Sequence, residues 1–346
     1  MPQLPAIRQD FTLADDPRGT ADLLPYERAG RLSQNWADYE RTANPRTLRM
    51  YQAGISKLVA WHDSRGLPYA FPAEPLSPRV LADWVDDRGE GLKPASVRGY
   101  LAGINKMHVL AGYHAPGAAL PVKNALSRLD RDLGTVQTQA TGLRYDILGP
   151  VLVALDAAGA DGDLMALRDA ALLSVAYDTL CRRSEISALD VSDVLSNADG
   201  HSVRVRKSKT DQGGAGSVRF IAPDTFARVV AFVTACRIEA GPLFPPLSAI
   251  ARPDAGERLA GRDVARVIAR HIDPLFAHLP EHDRPHFTGH SARVGSVQDQ
   301  LAANVDTVKA MQSGGWKSPV MVARYGKDLD AQRSGAAVVA KLQGRV

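Results

Sequence analysis

Apolar residues recur at helical spacing along most of the chain, and several of these runs begin with a helix-start signal. Asn44 offers an N-cap ahead of a proline, and a serine ahead of Pro78 repeats the signal. A longer apolar stripe runs from about Pro94 to Leu110. The pattern predicts an all-helical first domain over residues 21–133.

The apolar period changes from helical spacing to alternation between residues 201 and 223. Val203 and Val205 alternate with polar residues, a glycine-rich stretch follows, and Val218 and Phe220 alternate again. We predict two strands joined by a loop within an otherwise helix-rich second domain at residues 143–346. Later helices are predicted at residues 262–272, at a short segment opened by Ser318-Pro319, and at about residues 330–342.

Two stretches lack any apolar period. Residues 1–20 are rich in proline, aspartate and glycine, which predicts an arm, and residues 134–142 are small and polar, which predicts a linker. The predicted fold is mainly α, with a small antiparallel sheet in a mixed α/β second domain. A length of 346 residues suits two domains.

Composition adds constraints on location and partners. The chain holds two cysteines without a partner at metal or redox spacing, and no apolar run approaches the ~18 residues of a membrane span. We therefore expect a soluble, cytoplasmic protein. Its 42 Lys and Arg against 38 Asp and Glu permit an anionic partner without requiring one.

An arginine stripe lies on the helix predicted at residues 262–272. Arg262, Arg266 and Arg270 follow at intervals of four residues, opposite an apolar face. Such a charged face is often only solvated. Like charges at this spacing repel by roughly a few tenths of a kcal/mol per pair, however, so an anionic partner is the simpler interpretation.

A second basic surface is predicted on the first domain. Arg98 and Lys106 lie on the helix that begins at Pro94, together with the small residues Ala95 and Gly99. Small residues allow either close helix packing or entry into a DNA major groove, and the sequence leaves both open. Further candidate DNA contacts on the preceding helix are Arg46, Arg49 and Lys57.

Two short motifs carry candidate chemistry. Arg182 and Glu185 are three residues apart inside a helical pattern of apolar residues over positions 179–194, which predicts that both lie in one helix. This spacing most often gives a structural ion pair. His290 and Arg293 have the same spacing inside HFTGHSARVG, between two glycines. His286 would give the spacing of a zinc-binding helix, but the neighbouring proline and glycine disfavour a helix, so no metal is expected.

The order of four sequence blocks is more specific than any single motif. AYDTLCRRSEISAL, RKSKT, GHSARVG and MQSGGWKSPVMVARYGKDLD resemble, in the same order and at comparable separations, segments of the tyrosine site-specific recombinases of the phage integrase family, most closely those of a phage member. The resemblance covers nearly all of the chain past residue 40, more loosely in the first domain. It implies a SAM-like helical core-binding domain, a catalytic domain, and the site residues Arg182, Glu185, Lys209, His290, Arg293, Trp316 and Tyr325.

The chemistry of phosphodiester cleavage fits these residues. Without a metal, the reaction needs positive charge near the non-bridging oxygens, an activated nucleophile and a proton for the leaving oxygen. By the resemblance, Arg182 and Arg293 would bracket the phosphate, because a guanidinium can bind two oxygens at once. His290 would act as base or donor, and the indole N–H of Trp316 would give a further hydrogen bond.

The remaining roles concern the nucleophile and the leaving group. Tyr325 would attack to form a 3′-phosphotyrosyl link, and Lys209, in the loop between the two predicted strands, would protonate the 5′ oxygen. Glu185 would orient the cluster. Because the phosphotyrosyl bond preserves the energy of the broken bond, no cofactor, metal or ATP is expected.

The same resemblance implies how DNA is bound. Arg262 matches a base-reading position, flanked by Asp263 and Arg266, and the two domains would clamp a double-stranded inverted-repeat site as a homodimer, with a homotetramer in the synapse. The segment AQRSGAAVVAKL would dock on a neighbouring protomer, although packing on its own chain is the alternative. The DNA-facing residues differ from those of the family member compared, which leaves the target sequence open.

Two other functions share parts of this pattern. A type IB topoisomerase or hairpin-forming resolvase would use the same tyrosine chemistry, but the two-domain size and the GGW block favour a recombinase. A non-catalytic DNA-binding protein on the same scaffold is disfavoured because every candidate catalytic residue is present, Tyr325 included.

Overall fold

The computed structural model describes residues 25–89, 91–134, 139–208, 216–246, 256–330 and 335–345. The chain divides into two compact units, residues 1–137 and 138–346. The described part of the first unit is helical, and the second unit combines helices with a small sheet. The predicted fold class is confirmed. Among the described helices, none combines the length and the apolar character that a membrane span requires.

Five helices form the described part of the first unit, and two of them begin where the sequence signals predict. The side chain of Asn44 accepts a hydrogen bond of 2.9 Å from the backbone N–H of Arg46, which caps the second helix. The fourth helix has the predicted bounds. The helices are α1 (Pro25–Thr42), α2 (Pro45–Ser64), α3 (Pro78–Gly89), α4 (Pro94–Leu110) and α5 (Leu120–Leu133).

Close packing of α2 against α4 accounts for the small residues in these helices. A Cβ added at Gly103 would lie 2.6 Å from the Cα of Tyr51, and one at Gly54 would lie 2.7 Å from the Cα of Tyr100. A Cβ at Gly99 would likewise lie 2.7 Å from a methionine sulphur of α2. Of the two possibilities that the sequence leaves open for Gly99, the structure therefore shows helix packing.

The second unit begins with two long helices and continues through a sheet into a second group of helices. Its elements are α6 (Tyr145–Ala160), α7 (Leu164–Thr179), α8 (Arg183–Ile186), β1 (Val194–Asn197), β2 (Gly200–Val205), β3 (Ser217–Ile221), α9 (Pro223–Ala235), α10 (Gly261–Ile272), α11 (Ser291–Ala302), α12 (Thr307–Gly314), α13 (Val320–Asp330) and α14 (Gly335–Leu342). The predicted helix at 262–272 matches α10, and the helix expected after Ser318-Pro319 is α13. The described part of the last helix is Gly335–Leu342, and the start predicted near residue 330 adjoins residues 331–334, which lie outside the described residues.

The sheet is antiparallel with the order β1-β2-β3, so β3 lies at one edge. The two predicted strands are β2 and β3, whereas β1 has no clear signal in the sequence. In β3 the inward side chains are Arg219 and Ile221, and the apolar Val218 and Phe220 are exposed. The alternation therefore predicts the strand correctly, but its apolar residues do not face the core.

One predicted helical run is broken in the structure. The pattern around Arg182 and Glu185 predicts that both residues lie inside one helix, and this is wrong. Helix α7 ends at Thr179, Leu180 adopts a left-handed backbone with φ of 50°, and α8 begins only after Arg182. The break turns the chain so that Arg182 stands at the start of a short helix, where Glu185 can reach its backbone.

Candidate active site

Arg293 is the buried centre of the candidate site. It lies in the first turn of α11 with only 2% of its surface exposed. Its Nη1 donates to the carbonyl oxygen of Leu180, and its Nη2 donates to that of Gly314 at 2.7 Å. Burial, followed by the nearby charge of Arg182, lowers the pKa of Arg293 to about 10. Because this pKa is still well above 7, the guanidinium stays charged at neutral pH.

The Trp316 ring packs on this guanidinium, and the Tyr325 ring packs against Trp316 with an angle of 59° between the two ring planes. The guanidinium carbon of Arg293 lies 4.2 Å from the ring centroid of Trp316, and this ring lies 5.8 Å from the ring of Tyr325. Tyr325 is on α13, is 5% exposed, and packs against Leu180 and Val294. The structure thus brings three of the predicted site residues together from α11, α13 and the turn after α12.

The Gly-Gly-Trp block has a geometric reason. A Cβ at Gly314 would overlap the ring of Trp316, and Gly315 has a left-handed φ of 62°, which favours glycine. The two glycines end α12 and let the chain turn sharply enough to lay the indole ring on Arg293. The block is therefore a positioning device for Trp316.

Arg182 and Glu185 form a close pair at the start of α8. The carboxylate of Glu185 accepts from the Arg182 backbone N–H at 2.8 Å and from its Nη1 at 2.7 Å. The Glu185 side chain is buried, while the Arg182 side chain is 21% exposed. The ion pair expected from the spacing is present, and it fixes a partly exposed guanidinium beside the Arg293 cluster.

His290 precedes α11 and is half-buried. Its burial and then the charges of Arg293 and Arg182 lower its pKa, while Glu185 opposes this effect. The imidazole is therefore neutral at physiological pH and can accept a proton. In the described part of the chain, no group of three or more His, Cys, Asp or Glu side chains is placed to hold a metal ion.

The segment just before α6 is built into this site. The Thr141 N–H donates to the carbonyl of His286 at 2.9 Å, and the Leu143 N–H donates to that of Ser291 at 2.8 Å. A Cβ at Gly295 would overlap the carbonyl of Leu143. Residues 139–142, assigned to the linker by the sequence, thus pair with the segment that carries His290. The second glycine of GHSARVG was the available signal for this contact.

Two of the three arginines in the stripe on α10 pair with carboxylates of the protein itself. Arg266 donates to Asp263 at 2.7 Å, and Arg270 donates to the buried Asp169 at 3.0 Å. Arg262 is exposed, and no carboxylate of the described residues forms an ion pair with it. The argument that all three arginines require an external anion is therefore wrong for two of them, because α7 and α10 supply it.

The candidate DNA contacts of the first unit differ in their partners. Arg98 donates to both carboxylate oxygens of Asp130, at 2.8 and 2.5 Å. The Nζ of Lys106 lies 4.4 Å from the ring centroid of Tyr39, and Lys57 lies over the ring of a tyrosine of α4 at 5.9 Å. Two further candidates are exposed at the start of α2, namely Arg46 and Arg49.

Some predictions fall outside the described residues. These include Lys209, which follows β2 in the sequence, the arm at residues 1–20, and the first four residues of the AQRSGAAVVAKL segment. The described part of that segment is α14, none of whose residues is buried.

The chain is similar to curated tyrosine recombinases over most of its length. No protein-family model matches it. It is 26% identical over 329 residues to the "Integrase/recombinase xerD homolog" of Selenomonas ruminantium, covering 92% of this chain and 90% of that protein. It is also 26% identical over 279 residues to "Recombinase cre" of Escherichia phage P1, covering 78% of this chain and 80% of that protein.

The fold agrees with a solved structure of the same class. The XerH site-specific recombinase, bound to a palindromic difH substrate in a post-cleavage complex, superposes with a TM-score of 0.64 at 15% identity, covering 91% of this chain and 86% of that one. The resemblance read from the four sequence blocks is therefore confirmed.

Proposed function

We propose that this tyrosine recombinase cleaves and rejoins DNA strands through Tyr325, in the cytoplasm, at a short inverted-repeat site. The observation that carries the proposal is the cluster of Arg293, Trp316 and Tyr325, in which the Arg293 guanidinium carbon lies 4.2 Å from the Trp316 ring centroid and that ring lies 5.8 Å from the Tyr325 ring. A tyrosine hydroxyl can form a covalent link to phosphorus, and a buried guanidinium nearby can bind the phosphate that it attacks.

Arg182 and Arg293 neutralise the scissile phosphate. A guanidinium has five N–H donors, and Arg293 gives two of them to carbonyls, so three remain for phosphate oxygens. Each preorganised donor contributes about 3–4 kcal/mol to stabilising the transition state. Glu185 holds Arg182 in place through its two hydrogen bonds, and Trp316 adds an indole N–H.

The bond changes balance without an external reagent. The Tyr325 oxygen forms a bond to phosphorus as the bond to the 5′ oxygen breaks, which leaves a 3′-phosphotyrosyl link and a free 5′ hydroxyl. The phenolic proton passes to neutral His290, and Lys209 supplies a proton to the 5′ oxygen. Rejoining is the same exchange in reverse, with another 5′ hydroxyl as the attacking group.

DNA recognition is divided between the two units. Arg262, exposed on α10, reads a guanine edge, with Asp263 and Arg266 beside it. The helical unit contributes phosphate contacts from the basic residues of α2 and α4. An inverted-repeat site takes two protomers and a synapse takes four, and the exposed Val338, Val339 and Leu342 of α14 give each protomer an apolar face for its neighbour.

The test is covalent capture on a nicked duplex. Candidate sites are inverted repeats beside the coding gene, each nicked just 3′ of the cleavage position so that the cut strand diffuses away. The native protein is expected to give a covalent protein–DNA band on a denaturing gel without divalent metal, and Tyr325→Phe to give none. Tyr145→Phe is the matched control, because Tyr145 is exposed and is not part of the cluster of Arg293, Trp316 and Tyr325.

Each other result has a definite meaning. A band that persists in Tyr325→Phe would mean that another residue is the nucleophile. Specific binding without a band from either protein would indicate a DNA-binding protein on a recombinase scaffold. A band from native protein and Tyr145→Phe alone would support the proposal.

A further inference from the structure

Arg219 is a buried arginine for which the cleavage chemistry has no role. It occupies an inward position of β3 and is 5% exposed. Its Nε donates to the Ser217 hydroxyl at 3.2 Å, and its Nη1 donates to the carbonyl of Ser313. Among the described residues, no carboxylate lies within ion-pair distance of it. Its cross-strand partner Val203 and the next residue on the same face of β3, Ile221, are apolar.

A charge in this place requires an explanation. Burying a guanidinium without a carboxylate is costly, and an apolar side chain at an inward strand position avoids that cost. A purely structural demand at position 219 would therefore favour a residue such as valine. The feature that an apolar residue cannot supply is the hydrogen bond at the far end of the side chain, to the carbonyl of Ser313.

That contact lies in the turn that carries Trp316. Arg219 binds the carbonyl of Ser313, and Arg293 binds the next carbonyl along the chain, that of Gly314. A Cβ at Gly315 would overlap Nη2 of Arg219. Two buried guanidinium groups, from β3 and α11, therefore bind consecutive carbonyl groups of the same turn.

We propose that Arg219 is a positioning residue of the cleavage site, which holds the turn at residues 313–316 so that Trp316 stays in contact with Arg293 and Tyr325. Arg219 acts through the turn and not by contact with the reacting atoms. The inference rests on the proposed function, because it assigns Arg219 to the same cleavage reaction.

The experiment separates binding from cleavage in Arg219→Gln. On the nicked duplex, DNA affinity is expected to stay near native, while the single-turnover rate of covalent band formation falls about a hundredfold, the loss typical of a misplaced catalytic group. Arg219→Lys should recover part of the rate, because an ammonium can donate to the Ser313 carbonyl but has no planar fork.

A second readout follows the turn itself. The fluorescence difference between a protein and its Trp316→Phe derivative isolates the Trp316 signal, and acrylamide quenching of that signal reports how exposed the indole is. We expect stronger quenching in Arg219→Gln than in the native protein. A loss of general stability would not expose Trp316 in the folded molecule.

The matched control is Arg228→Gln. Arg228 is another partly buried arginine of the same unit, but it donates to Asp156 and Asp224, away from the turn. Its loss should lower the Tm and leave the cleavage rate of the folded protein unchanged. If Arg219→Gln behaves in the same way, with native cleavage and native quenching of Trp316, the proposal is overturned.

Two further variants keep the outcomes distinct. If Arg219→Gln does not fold, Gly315→Ala disturbs the same contact, and native cleavage in that variant would equally overturn the proposal. Tyr325→Phe is measured in parallel. A band from Tyr325→Phe contradicts the proposed nucleophile, whereas a silent Tyr325→Phe with a fully active Arg219→Gln contradicts only the positioning role.

Discussion

Arg266 and Arg270, which are exposed on α10, donate to carboxylates, whereas the buried Arg293 and Arg219 donate to backbone carbonyls inside the second unit. A carboxylate cancels the charge of its arginine. A carbonyl orients the guanidinium but leaves its full positive charge in place. The buried arginines therefore keep their electrostatic attraction for an anion, and the paired surface arginines have given up most of theirs.

The arginines of the candidate site differ from the paired arginines of α10 in their partners. Among the described residues, Arg182 forms an ion pair with Glu185, whereas no carboxylate lies within ion-pair distance of Arg293 or Arg219. The excess of positive charge is concentrated where a phosphate would bind. On α10, Arg262 is the stripe arginine whose charge is not balanced by an ion pair with a described carboxylate.

The largest expected effect is that of Arg293→Lys. A lysine keeps the charge but cannot hold two carbonyls and a phosphate at once, so cleavage should fall by about 10²–10³-fold. Single-turnover capture on the nicked duplex measures it. Arg270→Lys, which alters a surface arginine paired with Asp169, should cleave at nearly the native rate. Similar losses in both variants would remove the distinction between the two groups.

A smaller effect is expected from acid. Burial and the neighbouring arginine charges lower the pKa of His290, so its neutral form persists to lower pH than in a free histidine. The acid limb of the cleavage rate, where His290 takes up a proton, should therefore have its midpoint below the ordinary pKa of a histidine. A pH profile of single-turnover cleavage tests this, and His290→Gln should lose the acid limb. A midpoint above the ordinary pKa of a histidine would contradict the assignment.

The smallest expected effect concerns α10. Arg262→Ala should weaken binding to the inverted-repeat site by about 1–3 kcal/mol and relax the preference for one base pair. Arg266→Ala should weaken binding less, because Asp263 already balances its charge. Titrations of the specific and a scrambled duplex at one salt concentration measure both. Equal losses on both duplexes would assign Arg262 to phosphate contact instead of base reading.

The helices that the sequence predicts well are those whose signals are local. Helix α4 has the predicted bounds, α10 begins one residue before Arg262, and the cap at Asn44 is formed as expected. Each depends on residues within a few positions of one another. The apolar period and the capping residues therefore suffice for these elements.

The break at Leu180 was not predictable, because its cause lies far along the chain. Periodicity continues through residues 179–189, yet the helix stops where Arg293 takes the Leu180 carbonyl. The inward position of Arg219 escaped detection for a similar reason, since its partner at Ser313 is 94 residues away. Site residues with recognisable blocks were found, and the residues that hold them in place were not.

The pairing of residues 141–143 with the segment before α11 determines where the second unit can be separated from the first. A fragment that begins at Tyr145 would lose both backbone hydrogen bonds and the packing of the Leu143 carbonyl against Gly295. A fragment that begins before Gln139 would retain them, together with the contact of Gln139 with the Arg324 carbonyl. For dissection by proteolysis or by separate expression, a fragment of the second unit should therefore start inside the stretch that composition alone would discard as a spacer.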